Sequence, residues 1–104
     1  MALEFLSKVG AMSALNRLLK DTHVISILQY LNDNKSTGAP VVELQVAIRK
    51  THSFTCQKLR MMRESGIVTR ETNGQYRMYK INYNRLKQFE SIYNYSNIKF
   101  NEKY

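Results

Sequence analysis

The residues able to do chemistry in this 104-residue chain are cationic, and they are crowded together. Between Arg49 and Lys87 stand ten lysines and arginines against only Glu64 and Glu71, so this stretch carries the whole net charge of +8. A solvated helix face usually alternates signs, so a surface for a polyanion explains such a run better, with nucleic acid ahead of membrane lipid. A membrane-surface helix would set its basic side against a strongly apolar one, whereas here the cations spread over several elements. Within the stretch, Gln57 can pair bidentately with adenine N6 and N7, and Arg60 with guanine O6 and N7. For both, the other readings are a phosphate contact or plain exposure. Arg49, Lys50, Lys58 and Arg63 suit phosphates, which position a protein on a duplex without reading its sequence.

Other chemistries find little support. There is no glycine-rich phosphate loop, no nucleophile with a nearby histidine and acid, and no carboxylate pair suited to a pocket, so the chain is expected not to be an enzyme. A single cysteine, Cys56, leaves no internal disulfide and no cysteine-rich zinc site. His23 and His52 stand far apart, so no local metal pair is expected, and no cofactor is implied. Apolar residues at 43% and charged ones at 23% describe one ordinary globular domain spanning 1–104. No apolar run approaches the roughly 20 residues needed to cross a membrane. Glu4 and Lys8 interrupt the stretch where a signal peptide needs an unbroken apolar core. A soluble, cytoplasmic protein of a reducing compartment is the expectation.

The elements that must position these side chains can be read from periodicity. Residues 3–19 repeat Leu3, Leu6, Val9, Leu15 and Leu18 at helical steps. Asp21 or Thr22 can cap a second helix carrying Val24, Ile27, Leu28 and Leu31 on one face. Residues 32–38 form a polar loop, and Pro40 opens either an extended piece or a third helix with Leu44, Ala47 and Ile48 inward. Residues 50–53 are a tight turn, with Ser53 as the N-cap of a fourth helix over 53–65 that Gly66 stops. The period then changes to two. Ile67 to Ile81 reads as a β-hairpin, and Asn73-Gly74 predicts a type I′ turn with positive φ at both positions. After Asn82 a helical stripe returns with Leu86, Phe89, Ile92 and Tyr93.

Helix, helix, short helix, tight turn, helix, hairpin, helix is a helix-turn-helix followed by a wing. From about Leu19 to Ile81 the sequence resembles the ArsR-type winged-helix transcriptional regulators. The likeness rests on LKDTHVISIL at 19–28, Val42-Glu43-Leu44, Gln57-Lys58-Leu59, Met62-Arg63-Glu64-Ser65-Gly66-Ile67-Val68, Asn73-Gly74, and the pair Tyr79 and Ile81. It implies a mainly α fold with a small β-hairpin, and a homodimer joined through terminal helices at about 3–19 and 83–96. Many metal-sensing members carry two cysteines just after a Glu-Leu pair. Here Gln45-Val46-Ala47 follows Glu43-Leu44, and no histidine lies beyond His52, so metal sensing is not implied.

On the fourth helix Thr55, Leu59 and Met62 are expected in the core, with Ser53, Cys56, Gln57 and Arg60 facing base edges. Cys56 is either a small groove-facing residue or a redox-sensing thiol. Phe54 is either buried against the turn or set against a thymine methyl, and Tyr76 either packs or touches sugar. The hairpin offers Arg70, Asn73, Gly74, Gln75 and Arg77, a wing tip for the minor groove or flanking backbone. The reading is a dimeric repressor that binds double-stranded DNA by sequence, its small-molecule inducer, if any, unidentified. The alternative is a winged-helix module that binds another protein.

Overall fold

The computed structural model describes residues 17–90. Their order is α1 (Thr22–Asp33), α2 (Val41–Ile48), α3 (His52–Glu64), β1 (Val68–Asn73), β2 (Tyr76–Ile81) and α4 (Tyr83–Glu90). Of the expected first helix only its end, at Arg17 and Leu18, falls within them; the rest of it lies outside the described residues, as does the 91–96 part of the last helix with Ile92 and Tyr93.

Asp21 is the N-cap of α1, accepting hydrogen bonds from the His23 and Val24 amides at 2.8 and 3.2 Å. The expected face, Val24, Ile27, Leu28 and Leu31, is fully buried. The helix runs two residues into the expected loop, through Asn32 and Asp33, before Asn34 closes it by donating its side-chain amide to the Tyr30 carbonyl. Ala39 then exchanges two backbone hydrogen bonds with Tyr79, at 3.0 and 2.8 Å, and so ties this loop to the edge of the hairpin. Pro40 follows as the extended residue before α2, whose Leu44 and Ile48 point into the core. Ala47 departs from the expected stripe and is exposed, because the eight-residue helix turns only the 44/48 line inward.

The turn between α2 and α3 differs from expectation. Arg49 adopts the left-handed conformation (φ 55°, ψ 48°), and the amides of Arg49 and Lys50 return to the carbonyls of Val46 and Gln45. This is the helix closure glycine usually makes, here made by arginine. The N-cap of α3 is Thr51 rather than Ser53: the Thr51 hydroxyl accepts from the Phe54 amide at 3.2 Å, and its carbonyl accepts from the Thr55 amide and hydroxyl. Ser53 sits exposed in the first turn of the helix. At the far end Gly66 (φ 86°) stops α3 as expected, with the Gly66 and Ile67 amides bonded to the Arg63 and Met62 carbonyls.

The hairpin turn is also displaced by one residue. Asn73 pairs with Tyr76, so Gly74 and Gln75 are the two loop residues, and only Gly74 has positive φ. Glycine first and a negative-φ residue second is the type II′ pattern, which likewise matches the twist of the strands. The predicted type I′ turn at Asn73-Gly74 does not form. The inward face of the hairpin is nonetheless the expected one, with Val68, Tyr79 and Ile81 buried. They close a core built on Leu28, Leu31, Leu44, Leu59, Met62 and Ile67. On α4, Leu86 joins this core while the Tyr83 hydroxyl donates to Asn32 at 2.7 Å.

Candidate nucleic-acid interface

Helical spacing divides α3 into four faces. Thr55, Leu59 and Met62 form the buried one, fully shielded, with the Thr55 hydroxyl satisfied by the Thr51 carbonyl at 2.8 Å. Directly opposite lie Ser53 and Gln57, both exposed, on the surface that a groove of DNA would meet. A third stripe, His52, Cys56, Arg60 and Arg63, faces the hairpin. The fourth face, Phe54 and Lys58, turns back onto α1.

That last face corrects one expectation. Lys58, assigned from sequence to phosphates, has its ammonium hydrogen-bonded to the Asp21 carboxylate, and only 18% of its side chain is exposed. Burial by itself would raise the Asp21 pKa. The hydrogen bond from Lys58, those from the Val24 and His23 amides, and the Lys58 charge together outweigh it and hold the carboxyl below its ordinary value. Phe54 is half-buried against the same corner: His23 meets it edge-on at 4.9 Å between centroids, and Lys50 and Lys58 stand 5.2 and 5.3 Å from its ring. Arg49 and Lys50 border a shallow hollow beside this ring, at the turn.

Between α3 and the hairpin runs a groove of about 520 Å³ walled by Arg60, Arg63, Arg70 and Arg77. The register explains the last two. Side chains alternate along a strand, so Arg70 shares a face with Val68, and Arg77 with Tyr79, both on the side toward the helices. They therefore do not sit at the wing tip, where the sequence reading had grouped them with Asn73, Gly74 and Gln75. Arg60 reaches only an exposed partner, Glu64 at 3.7 Å, worth little in water. Other cations of the basic stretch are committed elsewhere: Lys80 lies 3.7 Å from Glu71, and Arg85 donates to the Ser65 carbonyl at 3.0 Å.

Sequence reasoning missed three residues of this region. His52 was placed in the turn, but it opens α3, with Nδ1 at 3.0 Å from Gln45 Oε1 and Nε2 at 3.4 Å from Cys56 Sγ. The i, i+4 spacing of His52 and Cys56 was the available signal. Val42 lines the groove at 64% exposure, on a helix whose short length hid which side faced out. Asp21 was read as a cap and not as the partner of Lys58. Among the described residues no three of His, Cys, Asp and Glu gather as metal ligands, and no helix is long and apolar enough to cross a membrane.

No family model matches the chain, and no curated protein matches it. Solved structures do. A possible transcriptional regulator for arsenical resistance is 23% identical with a TM-score of 0.66, over 75% of this chain and 78% of that one. The homodimeric winged helix-turn-helix DNA-binding domain of a possible ArsR-family regulator from Mycobacterium bovis is 15% identical with a TM-score of 0.69, over 84% and 79%. The chain has the winged helix-turn-helix fold. NolR from Sinorhizobium fredii shares it at 17% identity, with a TM-score of 0.65 over 86% of this chain and 91% of that one. In winged-helix terms α2 and α3 are the helix-turn-helix, and β1 with β2 is the wing.

Proposed function

We propose that this winged-helix chain is a transcriptional regulator that binds double-stranded DNA by sequence, as a homodimer acting as a repressor. The observation that carries the reading is the outer side of α3. Ser53 and Gln57 stand exposed opposite the core, and unpartnered cations flank them at Arg49, Arg63, Arg70 and Arg77 among the described residues. In this reading α3 enters the major groove with Gln57 toward a base edge, and Asn73, Gly74 and Gln75 at the wing tip lie against the minor groove. Arg49 and Lys50 meet backbone phosphates beside the turn. Cys56 is a half-buried neighbour of the recognition surface. The whole chain works as one domain, with its terminal segments, about 3–19 and 83–96, joining two copies in the cytoplasm. The Mycobacterium bovis domain of the same fold is a homodimer, which supports that assembly.

Two copies of α3 related by a twofold axis require an inverted-repeat operator, with half-sites roughly 34–36 Å apart. Selection of bound sequences from a random duplex pool is the test, because it reads specificity, symmetry and spacing together. The selected site is expected to be palindromic. Its log K should fall against log salt with a slope of about −5 or steeper, at roughly −0.9 per neutralised phosphate. No enrichment and a flat salt response would overturn the reading and favour a protein-binding module.

A further inference from the structure

We propose that the groove between α3 and the wing seats one sugar-phosphate strand of the duplex, with Arg60, Arg63, Arg70 and Arg77 all holding phosphates and none of them reading a base. The proposal rests on the DNA-binding reading and assigns it a specific contact surface.

Four observations converge. The groove brings four guanidinium groups from two different elements into about 520 Å³, and the one carboxylate near them, Glu64, is itself exposed. Like charges gathered so closely repel, and an anion in the groove relieves that repulsion. Every cation lining it is arginine; the neighbouring lysines, Lys58 and Lys80, are held by Asp21 and Glu71. Arginine presents a planar fork that grips phosphate oxygens bidentately, so this choice fits phosphate better than diffuse negative charge.

The other two observations concern shape. Val42 and Tyr76 stand 64% and 59% exposed on the same groove, large apolar surfaces with no cover within the fold. A free phosphate ion has no use for them, whereas a nucleic-acid strand alternates its anionic groups with the apolar faces of its sugars. The wing register places Arg70 and Arg77 toward the helices, away from the tip, so they flank a strand lying between α3 and the wing. Direct readout is then left to Gln57 and Ser53, and minor-groove contact to the tip.

The test compares the wild-type protein with Arg63→Gln, Arg70→Gln and Arg77→Gln, and with the double variant of Arg70 and Arg77. Binding is measured on the selected operator and on a panel of its single-base substitutions, at several sodium chloride concentrations. Each single substitution is expected to weaken binding to every duplex alike and to make the salt slope shallower by about 0.9, the double by about twice that. The base preference of all four variants should match that of the wild type. Their thermal midpoints without DNA should equal or exceed the wild-type value, since each removes a repelling charge; this also shows that they fold. Gln57→Ala should instead change preference at one base pair.

A steep wild-type slope with unaltered variant slopes would overturn the groove assignment alone, as would a change of preference at one base pair in an arginine variant. A wild-type protein with no salt-dependent duplex binding would overturn the DNA reading as well. Inorganic phosphate or a mononucleotide displacing DNA where sodium chloride of equal ionic strength does not would make the groove a small-anion site and defeat the strand proposal.

Discussion

Asp21 joins two helices through one carboxylate. Its Oδ1 takes the first amides of α1, and its Oδ2 holds Lys58 of α3, 37 residues along the chain. Replacing Asp21 by alanine removes the cap and leaves a mostly buried ammonium without its partner, and should cost about 2–4 kcal/mol of stability. Asparagine caps as well as aspartate, so Asp21→Asn should lose about 1 kcal/mol less than the alanine variant. Urea midpoints at fixed protein concentration check both values. The pH dependence has a definite sign. Because the folded pKa of Asp21 is lowered from 3.8, its contribution is complete above that value and disappears as pH falls through the lower folded one. The stability gap between wild type and Asp21→Asn should therefore stay constant near neutrality and narrow in acid below pH 3.8. A gap that widens in acid would contradict the ion pair.

The turn between α2 and α3 is three residues long, Arg49 to Thr51, and its left-handed corner is taken by an arginine. An L side chain there costs about 1–2 kcal/mol, part of which glycine would return in lost backbone entropy. Arg49→Gly is thus expected to stabilise the free protein by about 0.5–1 kcal/mol while weakening DNA binding and flattening the salt slope by about 0.9. Arg49→Ala should show the same binding loss without the gain, which separates charge from conformation. Denaturation and binding measured on one preparation of each variant decide it. The same corner marks the limit of what the sequence discloses. Periodicity located Leu44, Ile48, Thr55, Leu59 and Met62 in the core because helical spacing is a local property. The helix stop at Arg49 escaped because arginine gives no warning of a left-handed conformation, and Ser53 looked as good a cap as Thr51 because both offer a hydroxyl. Asn73-Gly74 and Gly74-Gln75 are both acceptable two-residue loops; the register was chosen by Val68 facing Ile81 across the strands. Of the basic residues, sequence gave the number and not the direction. Lys58 and Arg70 look alike along the chain, and only the packing of α3 on α1 and against the wing sends one to a carboxylate and the other to an open groove.

At the scale of the molecule the charge imbalance narrows to one side. The stretch from Arg49 to Lys87 holds all of the +8, and after Lys58, Lys80 and Arg85 have found partners, the cations left facing outward include the four arginines of the groove and the turn pair Arg49 and Lys50. Such a surface works against the fold that carries it, since like charges at close range raise the energy of the compact state more than that of an expanded chain. Added salt then has opposite effects on the free protein and on its complex. Raising sodium chloride from 0.1 M to 1 M shortens the screening length from about 10 Å to about 3 Å, enough to quench repulsion between neighbouring arginines. The free protein should gain on the order of 1 kcal/mol, or about 4–8 °C in thermal midpoint for a domain of this size, while DNA affinity falls by orders of magnitude over the same range. Melting curves in sodium chloride and in an uncharged osmolyte of matched osmolality check the first half, at fixed protein concentration because a dimer melts by mass action. The variant lacking both Arg70 and Arg77 sharpens the test: with two repelling charges gone it should start from a higher midpoint and gain less from salt. If salt raised the midpoints of wild type and variant equally, the gain would come from general apolar burial, and the arginine groove would not be the source of the strain that DNA relieves.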